Sequence, residues 1–142
     1  MAKISTFSQV MKILNIFFCV VFIIFAALQY NDPDPYIWIP IYLYAAVLCA
    51  LAARNKFYPL ATWIGIIIYA AYAAYKFFCT NGVLDWAQKH HAEDIAGTMK
   101  AAEPWIEETR EFFGLLIIIV VLLTDYWYGK NKVARKAGAT IL

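Results

Sequence analysis

Four long apolar runs are the feature that most constrains how this 142-residue chain can fold. They cover residues 9–30, 36–53, 57–79 and 108–128. Each is close to the roughly 20 residues that an α-helix, rising about 1.5 Å per residue, needs to cross a hydrocarbon core about 30 Å thick. The runs therefore predict an all-α integral membrane bundle of four transmembrane helices, forming a single domain over residues 1–142.

Composition excludes an ordinary soluble domain. Hydrophobic residues make up 63% of the chain and charged residues 15%, whereas soluble domains have about 45–50% and about 25%. Three isolated cysteines without a Cys-x-x-Cys pair offer no redox motif. Membrane lipids are the expected surroundings, and no feature indicates nucleic-acid binding.

The segment between the third and fourth runs has the pattern of an amphipathic helix. Across residues 82–103, apolar residues recur every three or four positions, and charged residues fall largely between them. Such a helix is expected to lie along the membrane surface or to cap the bundle. Pro104 is expected to end it and to let the chain turn into the fourth run.

Basic residues are distributed asymmetrically around the runs. They precede or open the first run, separate the second from the third and follow the fourth: Lys3, Lys12, Arg54, Lys56, Lys130, Lys132, Arg135 and Lys136. Residues 31–35 and 80–107 are acidic on balance. Because basic loops stay in the cytoplasm, both termini are expected to be cytoplasmic, and the acidic segments face outward.

Two polar segments adjoin the ends of runs and are the candidate functional residues. Asp34 and Pro35 suit the N-cap and first position of a helix, and the acids after Pro104 suit the positive end of the fourth helix. The predicted topology puts both segments on one side of the membrane, where Arg110 could pair with Asp32 or Asp34. The predicted structural or binding cluster comprises Gln29, Asn31, Asp32, Asp34, Glu107, Arg110 and Glu111.

Metal binding is a separate alternative for these acids and for the amphipathic segment. Carboxylate and amide oxygens of the cluster would suit calcium or magnesium. His90, Glu93 and Asp94 stand at i, i+3 and i+4, so a helix would place them on one face, where they could hold zinc or another divalent ion. A charged helix face in contact with water would contain the same residues. No cofactor is predicted.

Single residues within the runs carry further expectations. Ala46, Ala50 and Ala53 in the second run, and Ala70 with Ala74 in the third, offer small surfaces for close helix approach. Lys76, near the end of the third run, is expected to extend its ammonium outward to the polar interface.

The two polar segments resemble the signature segments of the transmembrane protein 220 family. The residues that carry the likeness are Gln29, Asn31, Asp32, Pro33, Asp34, Trp38 and Tyr42, then Glu107, Arg110, Glu111, Gly114 and Leu115. The resemblance covers about the first 55 residues and the fourth run. The short stretch after that run implies, by analogy, a bacterial member, and hence an inner-membrane location. The family has no established activity, so the resemblance implies a membrane fold but no mechanism.

Two functions are consistent with the sequence. The first is a non-catalytic accessory or scaffold subunit of a larger membrane complex, in which the outer cluster ties the first hairpin to the fourth helix. The alternative is a small membrane enzyme or transport factor that acts on a lipid or periplasmic substrate through a carboxylate and metal site. No Ser-His or Cys-His arrangement supports a catalyst, so the sequence favours the subunit.

Overall fold

A computed structural model of the chain contains four long helices and one short helix. It describes residues 2–96 and 103–140, with side chains over 6–96 and 103–139. The helices are α1 (Ala2–Leu28), α2 (Pro35–Ala53), α3 (Pro59–Phe78), α4 (Val83–Lys89) and α5 (Pro104–Thr140), and a 3-10 turn, Gln29–Asn31, follows α1. No strand occurs within the described ranges.

Four of these segments are long and apolar enough to cross a membrane. They are Thr6–Asn31, Pro35–Ala53, Pro59–Lys89 and Pro104–Ala139. The all-α class and the four transmembrane helices predicted from the apolar runs are thereby confirmed. The contacts divide the chain into two compact units, Met1–Gly65 with Val121–Leu142, and Ile66–Val120. The single membrane domain over residues 1–142 stays a prediction.

In the first unit, α1 and α2 pack through aromatic and small side chains. Phe22 is fully buried and stacks against Tyr42, with 6.4 Å between ring centroids. Ala46 and Ala53, which were expected to permit close approach, are buried in the same unit. Without water to drive helices together inside a bilayer, such close packing supplies much of the association energy. The predicted role of the α2 alanines therefore corresponds to packing within this chain.

The first unit also contains a close approach between the α2–α3 link and α5. A Cβ added at Gly129 would lie 2.4 Å from Cδ2 of the Phe57 ring. On the α2–α3 pair, the Tyr44 hydroxyl donates a hydrogen bond to the Ala61 carbonyl at 2.7 Å. Asn55 adopts a left-handed backbone, φ 59°, where the link leaves α2, a conformation that asparagine tolerates better than most residues.

In the second unit, aromatic side chains join α3, α4 and α5. Phe77 of α3 lies 5.7 Å from Phe112 of α5, and Trp86 of α4 meets Phe113 edge-on at 6.1 Å, both between ring centroids. Leu115 and Ile118 are fully buried. These contacts fix α4 against the first half of α5.

Helix α4 is much shorter than the amphipathic helix predicted over residues 82–103. It ends at Lys89, and His91 and Ala92 then adopt left-handed backbones with φ 49° and 53°. The indole Nε1 of Trp86 donates to the Glu93 carbonyl at 2.9 Å, which folds the chain back onto the helix. Residues 97–102 lie outside the described ranges. The helical pattern was therefore wrong from His90 to Ala96, because local turn contacts outweigh the periodicity.

Helix α5 begins at Pro104, so this proline opens a helix as its first residue, a position that its fixed φ suits. The helix contains 37 residues, which corresponds to about 55 Å at 1.5 Å per residue. Because the hydrocarbon core is only about 30 Å thick, α5 must extend beyond it.

Candidate functional site

The first polar segment is ordered by its own backbone. Asp32 donates its N–H to the Gln29 carbonyl at 3.0 Å, closing the 3-10 turn Gln29–Asn31. Asn31 and Asp32 are exposed, whereas Gln29 is half-buried. The segment therefore presents an amide and a carboxylate at the junction between α1 and α2.

Asp34 is the N-cap of α2, as predicted, and Pro35 occupies the first helical position. The backbone carbonyl of Asp34 accepts a hydrogen bond from the N–H of Ile37 at 3.0 Å. The carboxylate, however, makes no capping hydrogen bond. Its Oδ1 is buried and has no hydrogen-bond partner within the described part of the chain. The cap position was predicted correctly, but the capping interaction of the side chain was not.

The second polar segment occupies the first turns of α5. Glu107, Arg110 and Glu111 are all half-buried, and their spacing along a continuous helix places them on one side of it, as predicted. Thr109 lies between them in sequence and is fully buried. The predicted ion pair that joins Arg110 to Asp32 or Asp34 stays a prediction.

Lys76 of α3 forms the centre of an ion cluster with two acids of this segment. Its Nζ lies 2.8 Å from Oε2 of Glu108 and also contacts Oε2 of Glu111. The Cys79 thiol adds a long contact of 3.5 Å to the same oxygen of Glu108. The lysine is only 5% exposed. The expectation that Lys76 extends outward is therefore wrong, because two carboxylates within reach replace the water that an extended ammonium would find.

An aromatic wall borders this ion cluster. The Lys76 ammonium lies 5.3 Å from the ring centroid of Tyr72, within the distance at which a cation is attracted to an aromatic face. Tyr72 stacks in turn on Tyr75, with 6.1 Å between centroids and 10° between planes. The arrangement holds one positive charge in contact with two negative charges.

The metal candidates in the outer segment do not share a helical face. Helix α4 ends before His90, whose ring stacks on Trp105 at 4.4 Å. Glu93 donates its backbone N–H to the His90 carbonyl, and the Asp94 carboxylate accepts from the N–H of Ala96. The premise that an intact helix aligns His90, Glu93 and Asp94 was therefore wrong; metal binding by these residues stays a hypothesis.

Several polar residues that matter in the structure were not selected from the sequence. Glu108, which pairs with Lys76, is one example, and Asn15 with Asp125, which are hydrogen-bonded to each other, are a second. Asn15 and Asp125 each interrupt an apolar run. That interruption was the available signal, since polar residues inside a membrane span are costly unless paired or used.

Comparison with known proteins identifies the family. No curated protein and no solved structure is significantly similar to the chain. The family described as transmembrane family 220, helix, matches residues 21–127, which include α2, α3 and both polar segments. The match extends over more than half of the chain and agrees with the four apolar helices. The chain therefore belongs to transmembrane family 220.

Proposed function

We propose that this membrane protein is a non-catalytic accessory or scaffold subunit of a larger membrane complex. The observation that carries the proposal is an exposed small-residue face on α3. Ala70 and Ala74, one helical turn apart, are both exposed, unlike Ala46 and Ala53 of α2. Large exposed side chains, Ile67 and Phe78, flank them. Small residues four apart let a second helix approach closely inside a bilayer.

The charges near this face support a structural role. Lys76 forms ion pairs with Glu108 and Glu111. These ion pairs stabilise the packing of α3 against α5. A catalyst instead needs an acid, base or nucleophile held ready beside a substrate. The predicted outer cluster would add a further tie, between the first hairpin and the fourth helix.

The proposed location is a bacterial inner membrane, with both termini in the cytoplasm. The cytoplasmic termini are supported by the basic residues of the α2–α3 link and of the C-terminal part of α5, Arg54, Lys56, Lys130, Lys132, Arg135 and Lys136. Membrane lipids and other membrane subunits are the proposed partners.

Enlarging the alanine face tests the subunit role. In the double variant Ala70→Leu/Ala74→Leu, we expect loss of proteins that co-purify stoichiometrically from native membranes. Overpacking of a close contact costs about 1–3 kcal/mol, which lowers the affinity about fivefold to over a hundredfold. The measurement is quantitative mass spectrometry after mild detergent extraction.

Ala27→Leu is the matched control, because Ala27 is an exposed alanine of α1. It should leave co-purification unchanged. Equal retention of partners in both variants would contradict the use of this face. A stoichiometric divalent metal in the purified protein would instead favour the alternative of a small membrane enzyme or transport factor.

The predicted outer ion pair has its own test. Asp32→Arg or Arg110→Asp alone should lower the midpoint of thermal unfolding in detergent, whereas the combined swap should recover part of the loss, since opposite charges are restored. The same comparison applies to Asp34. If neither swap recovers stability relative to its single variants, the ion pair does not exist.

A further inference from the structure

A buried polar pair connects α1 and α5 within the first unit. Asn15 is 4% exposed and Asp125 is 7% exposed. The Nδ2 group of Asn15 donates to Oδ1 of Asp125 at 2.7 Å and to the Met11 carbonyl at 3.0 Å. Both amide hydrogens are therefore used by acceptors, and this fixes the orientation of the amide.

That orientation leaves two acceptor oxygens in need of a donor. Oδ1 of Asn15 and Oδ2 of Asp125 are buried, and neither has a hydrogen-bond partner within residues 6–96 and 103–139. A buried acceptor without a partner is costly. Both residues line a cavity of about 90 Å³, which is larger than the space that one water needs. Asn15 and Asp125 therefore form part of the cavity wall, and the two oxygens lie behind its surface, where they become acceptors for a group in the cavity when these side chains turn towards it.

The same cavity is surrounded by positive charge. Among the described residues, four lysines line it together with the Asp125 carboxylate, namely Lys12, Lys56, Lys132 and Lys136. Four ammonium groups disfavour a metal cation at this place. They favour an anion, provided that the anion also carries hydrogen-bond donors for the buried oxygens.

A larger groove adjoins this cavity on its basic side. It has a volume of about 660 Å³ and shares Ser8, Tyr128, Lys132 and Lys136 with the cavity. Its other walls include the aromatic rings of Phe7 and Trp127 and the guanidinium of Arg135. Aromatic and basic side chains at the end of an apolar helix are typical of the membrane interface. The groove therefore suits the junction between a lipid phosphate and its acyl chains.

The cations and the buried acceptors line the same cavity. The Lys132 ammonium lies 5.8 Å from the ring centroid of Tyr128 and donates to Oδ1 of Asn55. Tyr128 itself is three residues, or about 4.5 Å of helix rise, from Asp125. A phosphate at Lys132 would leave a short polyol within reach of the Asn15–Asp125 pair.

From this arrangement we infer a binding site for an anionic phospholipid whose headgroup carries hydroxyl groups. The phosphate contacts Lys132, Arg135 and Lys136, and the hydroxyls donate to Oδ1 of Asn15 and Oδ2 of Asp125. The acyl chains leave along Phe7 and Trp127. The site is independent of the proposed subunit role, because it uses none of the α3 alanine face.

Native mass spectrometry of the full chain in detergent can test this by comparing three lipids with identical acyl chains. Phosphatidylglycerol has the charge and the hydroxyls, phosphatidylmethanol has the charge alone, and phosphatidylcholine has neither. We expect phosphatidylglycerol to bind about tenfold more tightly than phosphatidylmethanol, because hydrogen bonds to a charged group are strong. Phosphatidylmethanol should exceed phosphatidylcholine by about fivefold or more.

Two sets of variants separate the two parts of the site. Asn15→Leu/Asp125→Leu removes both acceptors together and should abolish the preference for phosphatidylglycerol over phosphatidylmethanol. Lys132→Gln/Arg135→Gln/Lys136→Gln should weaken both anionic lipids about equally and keep that preference. Lys89→Gln, outside the groove, should change neither.

Three results would each overturn the inference. The first is equal binding of phosphatidylglycerol and phosphatidylmethanol to the unmodified chain, as expected if a proton on Asp125 closes the pair with Asn15. This comparison needs no variant, so it stands even if the double leucine variant fails to fold. The second is an unchanged lipid preference in a folded double variant. The third is binding of soluble glycerol phosphate as tightly as the lipid, which would identify a free phosphate ester as the ligand.

Discussion

Replacing Lys76 with methionine is expected to lower the free energy of unfolding by about 3–5 kcal/mol, the cost of removing one partner from a buried ion pair. The substitution leaves the carboxylates of Glu108 and Glu111 without the ammonium that contacts both. The Glu108 side chain is 27% exposed, so water relieves part of the cost, and the lower end of the range is expected. Unfolding by dodecyl sulfate in mixed micelles measures the change.

A second ion pair in the same unit provides the control. Lys89 lies 3.0 Å from Asp85 across one turn of α4, but its side chain is 65% exposed. Because exposed pairs contribute little, Lys89→Met should leave stability unchanged within error. In the triple variant Lys76→Met/Glu108→Gln/Glu111→Gln, most of the stability should return, since no unpaired charge is left. Equal losses for Lys76→Met and Lys89→Met would contradict the buried cluster.

Gly82→Ala is the second substitution with a large expected effect. A Cβ at this position would lie 2.3 Å from the Lys76 carbonyl oxygen and 2.9 Å from that of Cys79. These are backbone atoms, so no side-chain rotation can relieve the contact, and the α3–α4 turn must shift. Overpacking of this kind costs about 1–3 kcal/mol. The same mixed-micelle unfolding experiment should detect a loss of this size.

Gly138→Ala is the matched control, because no heavy atom lies within 4 Å of a Cβ added at Gly138. Gly138 is part of α5, where alanine stabilises a helix by about 0.5–1 kcal/mol relative to glycine. The two glycine substitutions should therefore change stability in opposite directions. A neutral or stabilising Gly82→Ala would show that the turn can relax without cost.

Features set by neighbouring residues could be predicted from the sequence. The apolar runs specified the long helices, and Pro35 marked the start of α2 because proline suits the first helical position. The predicted helix over residues 82–103 is interrupted after Lys89, where the Trp86 indole donates a hydrogen bond to the Glu93 carbonyl. Periodicity carries no information about such a bond.

Features set by distant residues could not be predicted. Lys76 meets acids that follow it by 32 and 35 residues, and Asn15 meets a partner 110 residues away. A single lysine near the end of an apolar run is compatible with either an extended or a paired side chain, and only the tertiary structure decides between them. The packing roles of the alanines were equally ambiguous: Ala46 is buried within the chain, whereas Ala70 is exposed.

The pairing of Lys76 with Glu108 and Glu111 has a consequence for biosynthesis. During translation α3 emerges before α5, so Lys76 would enter the bilayer before its acidic partners exist. A lysine at the centre of a translocating helix costs about 2.5–3.5 kcal/mol on insertion scales, and less near a helix end. Integration of α3 is therefore expected to become more favourable once α5 supplies Glu108 and Glu111, so that assembly of the third helix depends in part on the last.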